Sequence, residues 1–552
     1  MGGKTEKNCI GNAYITVTFA MLFLTIISVL LSSMEAVRVS AVRLRGEIAC
    51  AIACEAFLSQ YEPRVQARYG LYLVERDGWD TAFLKQFIEE NCGSLDEGGV
   101  AWIRPVLESV AIDGEIHIED EDFRYFEDQI SDLMITVKGS QYAGQVKDSL
   151  LGLLSSDVEA EKDSLSSGIG KTGEAARIQQ EAASKESSDG EGSDAGHTHS
   201  GNTDSGSKTA GEESGGTAVE DPRKNITDML KHPILSLVMD GEISGAVLDR
   251  NKLSDVTDPE RDVDQIGGFM DYKDVTKGME STSLDLKDSI ESLGEGFLVN
   301  CYIVDFFKNA ASPGKPSGIC YDASGNLTGQ GEHRQIQGKT ALEYETEYII
   351  CGKSSDGGNL QSVVNRISLI RMVMNMTYLL QSPAKSGAVH SVAAALASAV
   401  FMPFLEELFY MLIMAAWAYA EALVDCRCLL GGGKVPFLKS DTTWTLSLGQ
   451  LGKLGAGQME GYARADASDS GHSYEDYLHM LLLTVNREKK YIRLINLIEA
   501  NTRLEDGGQD FNAGLCVFGI SICADFTFSP FFYGPGTGKR QYDHHVSKSI
   551  AY

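Results

Sequence analysis

The sequence predicts an α+β protein. One N-terminal transmembrane helix continues into an amphipathic helix, and a mixed α/β body follows whose C-terminal half is strongly helical. Three observations predict it. No charge interrupts the chain between Lys7 and Glu35. Val110, Ile112, Ile116 and Ile118 alternate at the period of a strand. From Asn359 onward apolar residues recur at the spacing of helices.

Residues 1–12 form a short polar head. Residues 13–34 are 22 apolar or small positions, ~33 Å as a helix against a hydrocarbon core of ~30 Å. A cleaved secretory signal is the alternative, with Val39-Ser40-Ala41 as its site. Its apolar region usually spans only about 7–15 residues, so an anchor that holds membrane lipid through 13–34 is preferred.

Residues 35–154 begin with Val37, Ala41, Leu44, Ile48 and Ile52, a stripe expected to face the core of a docked domain. Pro63 should end that helix. Cys50 and Cys54, one turn apart, read as core thiols, since no His or further Cys completes a metal site nearby. Tyr69–Val74 and Val110–Ile118 read as strands, Thr81–Glu90 as a helix.

Residues 155–220 change character. Half of Ser187–Gly216, 15 of 30 residues, is Gly or Ser, and Asp157–Asp221 holds 15 acidic against 5 basic residues. Such a stretch buries too little apolar surface to offset the entropy of ordering it, so a disordered acidic linker is expected. His197 and His199 lie in it without a third ligand.

Residues 221–552 form a helix-rich C-terminal α+β domain. Ile226–Met239 is core-like. Leu342–Ile350 alternates apolar residues with Glu343, Glu345 and Glu347 and reads as a half-buried strand with a solvated acidic face. A calcium site there is disfavoured because no Asp-rich loop accompanies the glutamates. Ala393–Ala420 is a candidate second span, but Pro403, Glu406 and Glu407 interrupt it, which favours a buried helix. Tyr474–Leu504 reads as one helix. Leu515–Phe528 reads as the strand that ends the fold.

The chain carries 48 basic and 78 acidic residues, a net charge of −30. A phosphate-binding surface must be basic, so nucleic acid is excluded as a partner. Nucleotide is excluded too. Gly168–Thr172 has Leu165 for the leading glycine, Lys434 is followed by Val435, and Gly534–Lys539 has Tyr533 and Arg540 in place of glycine and hydroxyl. His472, His479, His544 and His545 lack metal-ligand spacing, and Cys426-Arg427-Cys428 is one residue short of a redox pair. Glu406 and Glu407 diverge by ~100° on a helix. The residues nominate no catalytic, cofactor-binding or metal site, and a non-enzymatic role is expected. A cell-envelope enzyme assembled from distant residues, or a plain anchor or spacer, are the alternatives.

Several motifs lie in one order: Gly11-Asn-Ala-Tyr-Ile-Thr-Val17, Met34-Glu-Ala-Val-Arg38, Tyr69-Gly-Leu71, Leu342-Glu-Tyr-Glu-Thr-Glu-Tyr348, Gly352-Lys-Ser-Ser355, Ala416-Trp-Ala-Tyr-Ala-Glu421, Gly433-Lys-Val-Pro436 with Lys439 and Trp444, Tyr474-Glu-Asp-Tyr-Leu478 and Asn496-Leu-Ile498. They resemble a family of unknown function, found mainly in Gram-positive bacteria and often encoded beside tight-adherence (Flp-type) pilus genes. The N-terminus also resembles TadE/TadG pseudopilins, in which a glycine precedes the apolar run and a glutamate follows at the fifth position. Gly11 supplies the glycine, but Thr16 stands at the fifth position. The resemblance implies a single-pass protein of the cell membrane, head inside and bulk outside, that works beside other pilus or envelope proteins. Counting only Lys and Arg, with Lys4 and Lys7 before the run and Arg38, Arg43 and Arg45 after it, slightly favours the bulk staying inside, but long domains translocate largely regardless of flanking charge.

Overall fold

The computed structural model describes residues 5–76, 81–93, 103–139, 142, 144–145, 233–239, 241–254, 296–315, 317–318, 320–321, 327–328, 339–399, 401–451, 471–531 and 541–552. The expected acidic linker 155–220, His197, His199, Gly168–Thr172 and Gly534–Lys539 lie outside these. The chain forms two compact units, Met1–Gln129 with Asp510–Tyr552, and Ile130–Gln509.

The first unit is built on α1 (Thr5–Leu58), one unbroken helix of 54 residues. The most apolar stretch of Tyr14–Leu58, mean hydropathy 2.4, has no buried residue, and the N-terminal half of α1 is long and apolar enough to cross a membrane. Pro63 does not end α1 but opens α2 (Pro63–Tyr69), where the Glu62 side chain caps the first turn. A four-stranded antiparallel sheet comprises β1 (Val74–Glu75), β2 (Val106–His117), β3 (Cys516–Phe528) and β4 (Tyr542–Ala551). β3 is central. It pairs β2 from Thr527 to Val517 along one edge, and β4 and β1 along the other. Of Tyr69–Val74, expected as a strand, only Val74 pairs, and β3 does not end the fold, because β4 follows it. α3 (Thr81–Gly93) covers the sheet with Leu84, Ile88 and Cys92.

The C-terminal half of α1 lies across β3 and β4, but not on the stripe expected from the sequence. Val37, Leu44, Ile48 and Ile52 are exposed. The buried face is made by Val42, Gly46, Ala49, Cys50, Ala53 and Phe57. Small residues win because they let the helix axis approach the sheet. A Cβ on Gly46 would stand 3.2 Å from Cδ2 of Phe526.

α4 (Asp120–Lys138) follows β2. The second unit is helical: α5 (Gly296–Phe306), α6 (Glu345–Cys351), α7 (Asp356–Gln381), α8 (Pro383–Ala399), α9 (Glu406–Leu430), α10 (Tyr474–Leu483) and α11 (Arg487–Arg503). α7 and α8 pack on α9, while α6 packs on α7, α10 and α11. The second apolar candidate, Pro403–Leu430, is 72% buried over its most apolar stretch. The run Ala393–Ala420 is two helices, broken at 401–405 by a turn containing Pro403. Tyr474–Leu504 is likewise two helices, because Asn486 caps a fresh start after Thr484 and Val485. The expected strand at Leu342–Ile350 is instead α6 from Glu345 onward, and of its expected acidic face only Glu343 is solvated: Glu345 and Glu347 are fully buried.

Candidate functional site

Two buried polar networks occupy the second unit. The first forms where α7 faces α9. Arg371 and Asn375 stand one turn apart on α7, and Glu421 and Asp425 one turn apart on α9, so four polar side chains meet across one helix pair. Arg371 Nε donates to Asp425 Oδ2 at 3.0 Å, and Asn375 Nδ2 to the same oxygen at 3.0 Å. Lys439, from the loop after α9, places Nζ 2.6 Å from Asp425 Oδ1 and also pairs with Glu421. Burial would raise the Asp425 pKa, but Lys439 and Arg371 outweigh it and hold the carboxyl below its usual range.

This network holds a loop. Arg371 Nη1 donates to the carbonyls of Pro436 and Phe437 at 2.9 and 2.8 Å. Glu421 accepts from the amides of Thr445 and Leu446, both at 2.9 Å. The indole N–H groups of Trp417 and Trp444 both donate to the Leu446 carbonyl. Two positive and two negative side chains thus neutralise one another and tie 436–446 to the helices.

The second network surrounds α6. Glu345 accepts from the amide of Lys308 at 2.9 Å, Ser317 Oγ at 3.0 Å and Asn501 Nδ2 at 2.7 Å. Glu347 Oε1 accepts from the Ala310 amide and the Tyr474 hydroxyl, while its Oε2 is buried without a hydrogen-bond partner. Burial raises the Glu347 pKa to about 7. Asp356 accepts from the amides of Glu343 and Tyr344. Arg493 donates to the carbonyls of Ile349 and Ile350 at the end of α6.

Carboxylates near the start of α6 also suit the helix dipole. Both networks therefore satisfy backbone groups of loops that have no ladder partner, which is the task of buried polar side chains in irregular regions.

The other weighed residues are dispersed. Cys50 and Cys54 lie in the first unit's core, and burial pushes their thiols up to about 12 and about 11. Burial also raises the Cys426 thiol. His545 pairs with Asp525 at 2.8 Å, His544 lies near Glu47, and His479 is buried on α10 with its pKa lowered by burial. Among the described residues no three His, Cys, Asp or Glu side chains are placed to hold a metal ion. Surface apolar side chains gather at the α8–α9 turn, where Phe401 is 93% and Phe404 78% exposed.

Arg371, Asn375, Asp425 and Arg493 were not singled out by sequence reasoning. The available signal was a charge inside an apolar helix: Arg371 between Ile370 and Val373, Asp425 between Val424 and Cys426. All these network residues lie within 212–528, the span over which the chain matches a family of unknown function (DUF5702). The chain belongs to that family. The family span includes β3 and every helix from α5 to α11, and leaves out α1, β1, β2 and β4. No curated protein and no solved structure matches the chain.

Proposed function

We propose that the chain is a non-enzymatic, membrane-anchored extracytoplasmic protein that assists the assembly of a tight-adherence pilus or a related cell-surface apparatus. The observation that carries this reading is α1. One rigid helix offers lipid an apolar half and docks a sheet on its other half, so the sheet of the first unit is fixed to the anchor without a flexible hinge between them. The ordered motifs, shared in likeness with proteins encoded beside pilus genes, supply the apparatus.

Binding is favoured over catalysis by the state of the buried charges. Glu347, whose pKa burial raises to about 7, is sealed from solvent, out of reach of a substrate. The exposed Phe401 and Phe404 are of the kind that mark contact surfaces.

The test has two parts. Protease added to intact cells after wall removal should remove the body and leave a small N-terminal fragment; full protection until lysis would reverse the orientation. A strain lacking the chain should lose surface filaments or adherence, and wild-type levels of both would sink the assembly role.

A further inference from the structure

Residues 241–254 cross the second unit as an extended strap. Ser244, Ala246, Leu248 and Arg250 are half-buried or buried, while Ile243, Gly245, Val247 and Asp249 between them are exposed, the period of a strand with one side covered. The covered side meets α6, α11 and the turn between α6 and α7. The Leu248 amide donates to the Ser354 carbonyl at 2.9 Å and the Asp356 amide to the Ala246 carbonyl at 3.0 Å, which makes an antiparallel bridge of Val247 with Ser355. Arg250 donates to the Gly352 carbonyl and lies over the Tyr348 ring. Ser254 gives its amide and its hydroxyl to the two oxygens of Glu499, at 3.0 and 2.6 Å. Gly357 lets the strap lie close, since a Cβ there would stand 3.0 Å from Cγ2 of Ile243.

The surface beneath has supports of its own. Asn359 holds the α6–α7 turn by bonding both the amide and the carbonyl of Lys353 at 2.8 Å. Asp356 holds the amides of Glu343 and Tyr344, and Arg493 holds the end of α6. None of these bonds involves the strap. Glu499 pairs with Arg503 on its own helix. The groove therefore keeps its shape when the strap lifts, and the outer side of the strap faces solvent, so nothing above it must unpack first. A preformed groove that bonds the main chain of an extended segment and buries one leucine has the chemistry of peptide recognition by strand addition.

We propose that the α6–α7 turn and α11 form a peptide-binding groove, that 241–254 is its ligand in cis, and that a free peptide of the same pattern exchanges with it. The ligand class is set by what the groove touches. Small residues at 244 and 246 let the backbone reach Ser354 and Asp356, a leucine at 248 fills the buried position, an arginine at 250 reaches the Gly352 carbonyl, and a serine at 254 satisfies Glu499. The exposed positions between them are free to vary. The tethered strap competes with any free peptide, so the groove is closed to outside ligands until the strap is weakened. This site does not depend on the membrane reading of α1.

The test uses the detergent-solubilised full-length chain and a fluorescent synthetic peptide, Gly241–Ser254, followed by anisotropy. Leu248→Asp in the chain should dislodge the strap and raise peptide affinity at least about ten-fold over wild type, since affinity scales with the fraction of open groove. The same peptide with Leu248→Asp should not bind that variant, and the peptide with Ser254→Ala should bind it more weakly. A double variant, Arg250→Ala with Ser254→Ala, loosens the strap without placing a charge in the core and should also gain affinity. Circular dichroism checks that both variants keep their helices. A folded variant that takes up no more peptide than wild type overturns the proposal, as does equal binding of the intact and the Leu248→Asp peptides. Loss of helices in both variants overturns it too, because the strap would then be part of the core and not a ligand.

Discussion

Arg371 Nε and Asp425 Oδ2 lie 3.0 Å apart, with their side chains 0% and 3% exposed. An ion pair so sealed adds little over an apolar pair, but breaking it leaves a charge with no water to solvate it. Asp425→Ala leaves Arg371 without its carboxylate and Lys439 with Glu421 as its only one of the two. The expected loss is ~3–5 kcal/mol, read by urea unfolding of the detergent-solubilised chain. The folded Asp425 pKa is depressed, so the stability it confers is present above the unfolded carboxylate range and lost as pH falls through its folded value. A variant as stable as the wild type at pH 7 would mean the network is not clamped.

Glu347 has the opposite sign. Its folded pKa is raised to about 7, so the folded chain holds a proton that the unfolded chain has released. Stability from this group falls as pH rises from about 4.5 to 7, on the order of 3 kcal/mol in all. Glu347→Gln removes the charge and keeps the Ala310 and Tyr474 contacts through its carbonyl. Its melting temperature relative to wild type should therefore climb between pH 5 and pH 8. A constant difference across that range would count against a protonated Glu347.

Gly352 ends α6 at φ 70°, and a Cβ there would collide with the Arg493 guanidinium. Gly352→Ala should cost ~1–3 kcal/mol from the left-handed backbone alone. It also pushes Arg493 off the carbonyls of Ile349 and Ile350. Thermal unfolding measures the loss, and an unchanged melting temperature would show that the turn relaxes freely.

Thr16 bears on filaments. A threonine in the membrane bonds within its own helix, but carries no charge to pair with a neighbour's terminal ammonium in apolar surroundings, where an unpaired charge is very unfavourable. Purified surface filaments should hold this chain in trace amounts, and Thr16→Val should leave function nearly unchanged. Filaments built mainly of this chain would refute the charge argument.

The sequence by itself determined what depends on near neighbours: the apolar run of α1, the helix read at Thr81–Glu90, the alternation in β2, the helical second half. Those signals are local because one turn or one pleat suffices to produce them. It did not determine which side of α1 meets the sheet, since both sides are apolar and the choice fell to the small residues that admit Phe526. Nor could it tell α6 from a strand. The alternation at Leu342–Ile350 fits period 2, but Glu345 and Glu347 are buried because amides at Lys308 and Ala310 and the side chain of Asn501 come to them. Glu345 and Asn501 stand 156 residues apart in the chain. β3 finds β2 across a comparable gulf, Ser109 bonding Asp525 over 416 residues. Hydrogen bonds to such distant partners leave no periodic trace in a sequence, so the tertiary structure alone decided which charges were sealed in and which apolar face was left open.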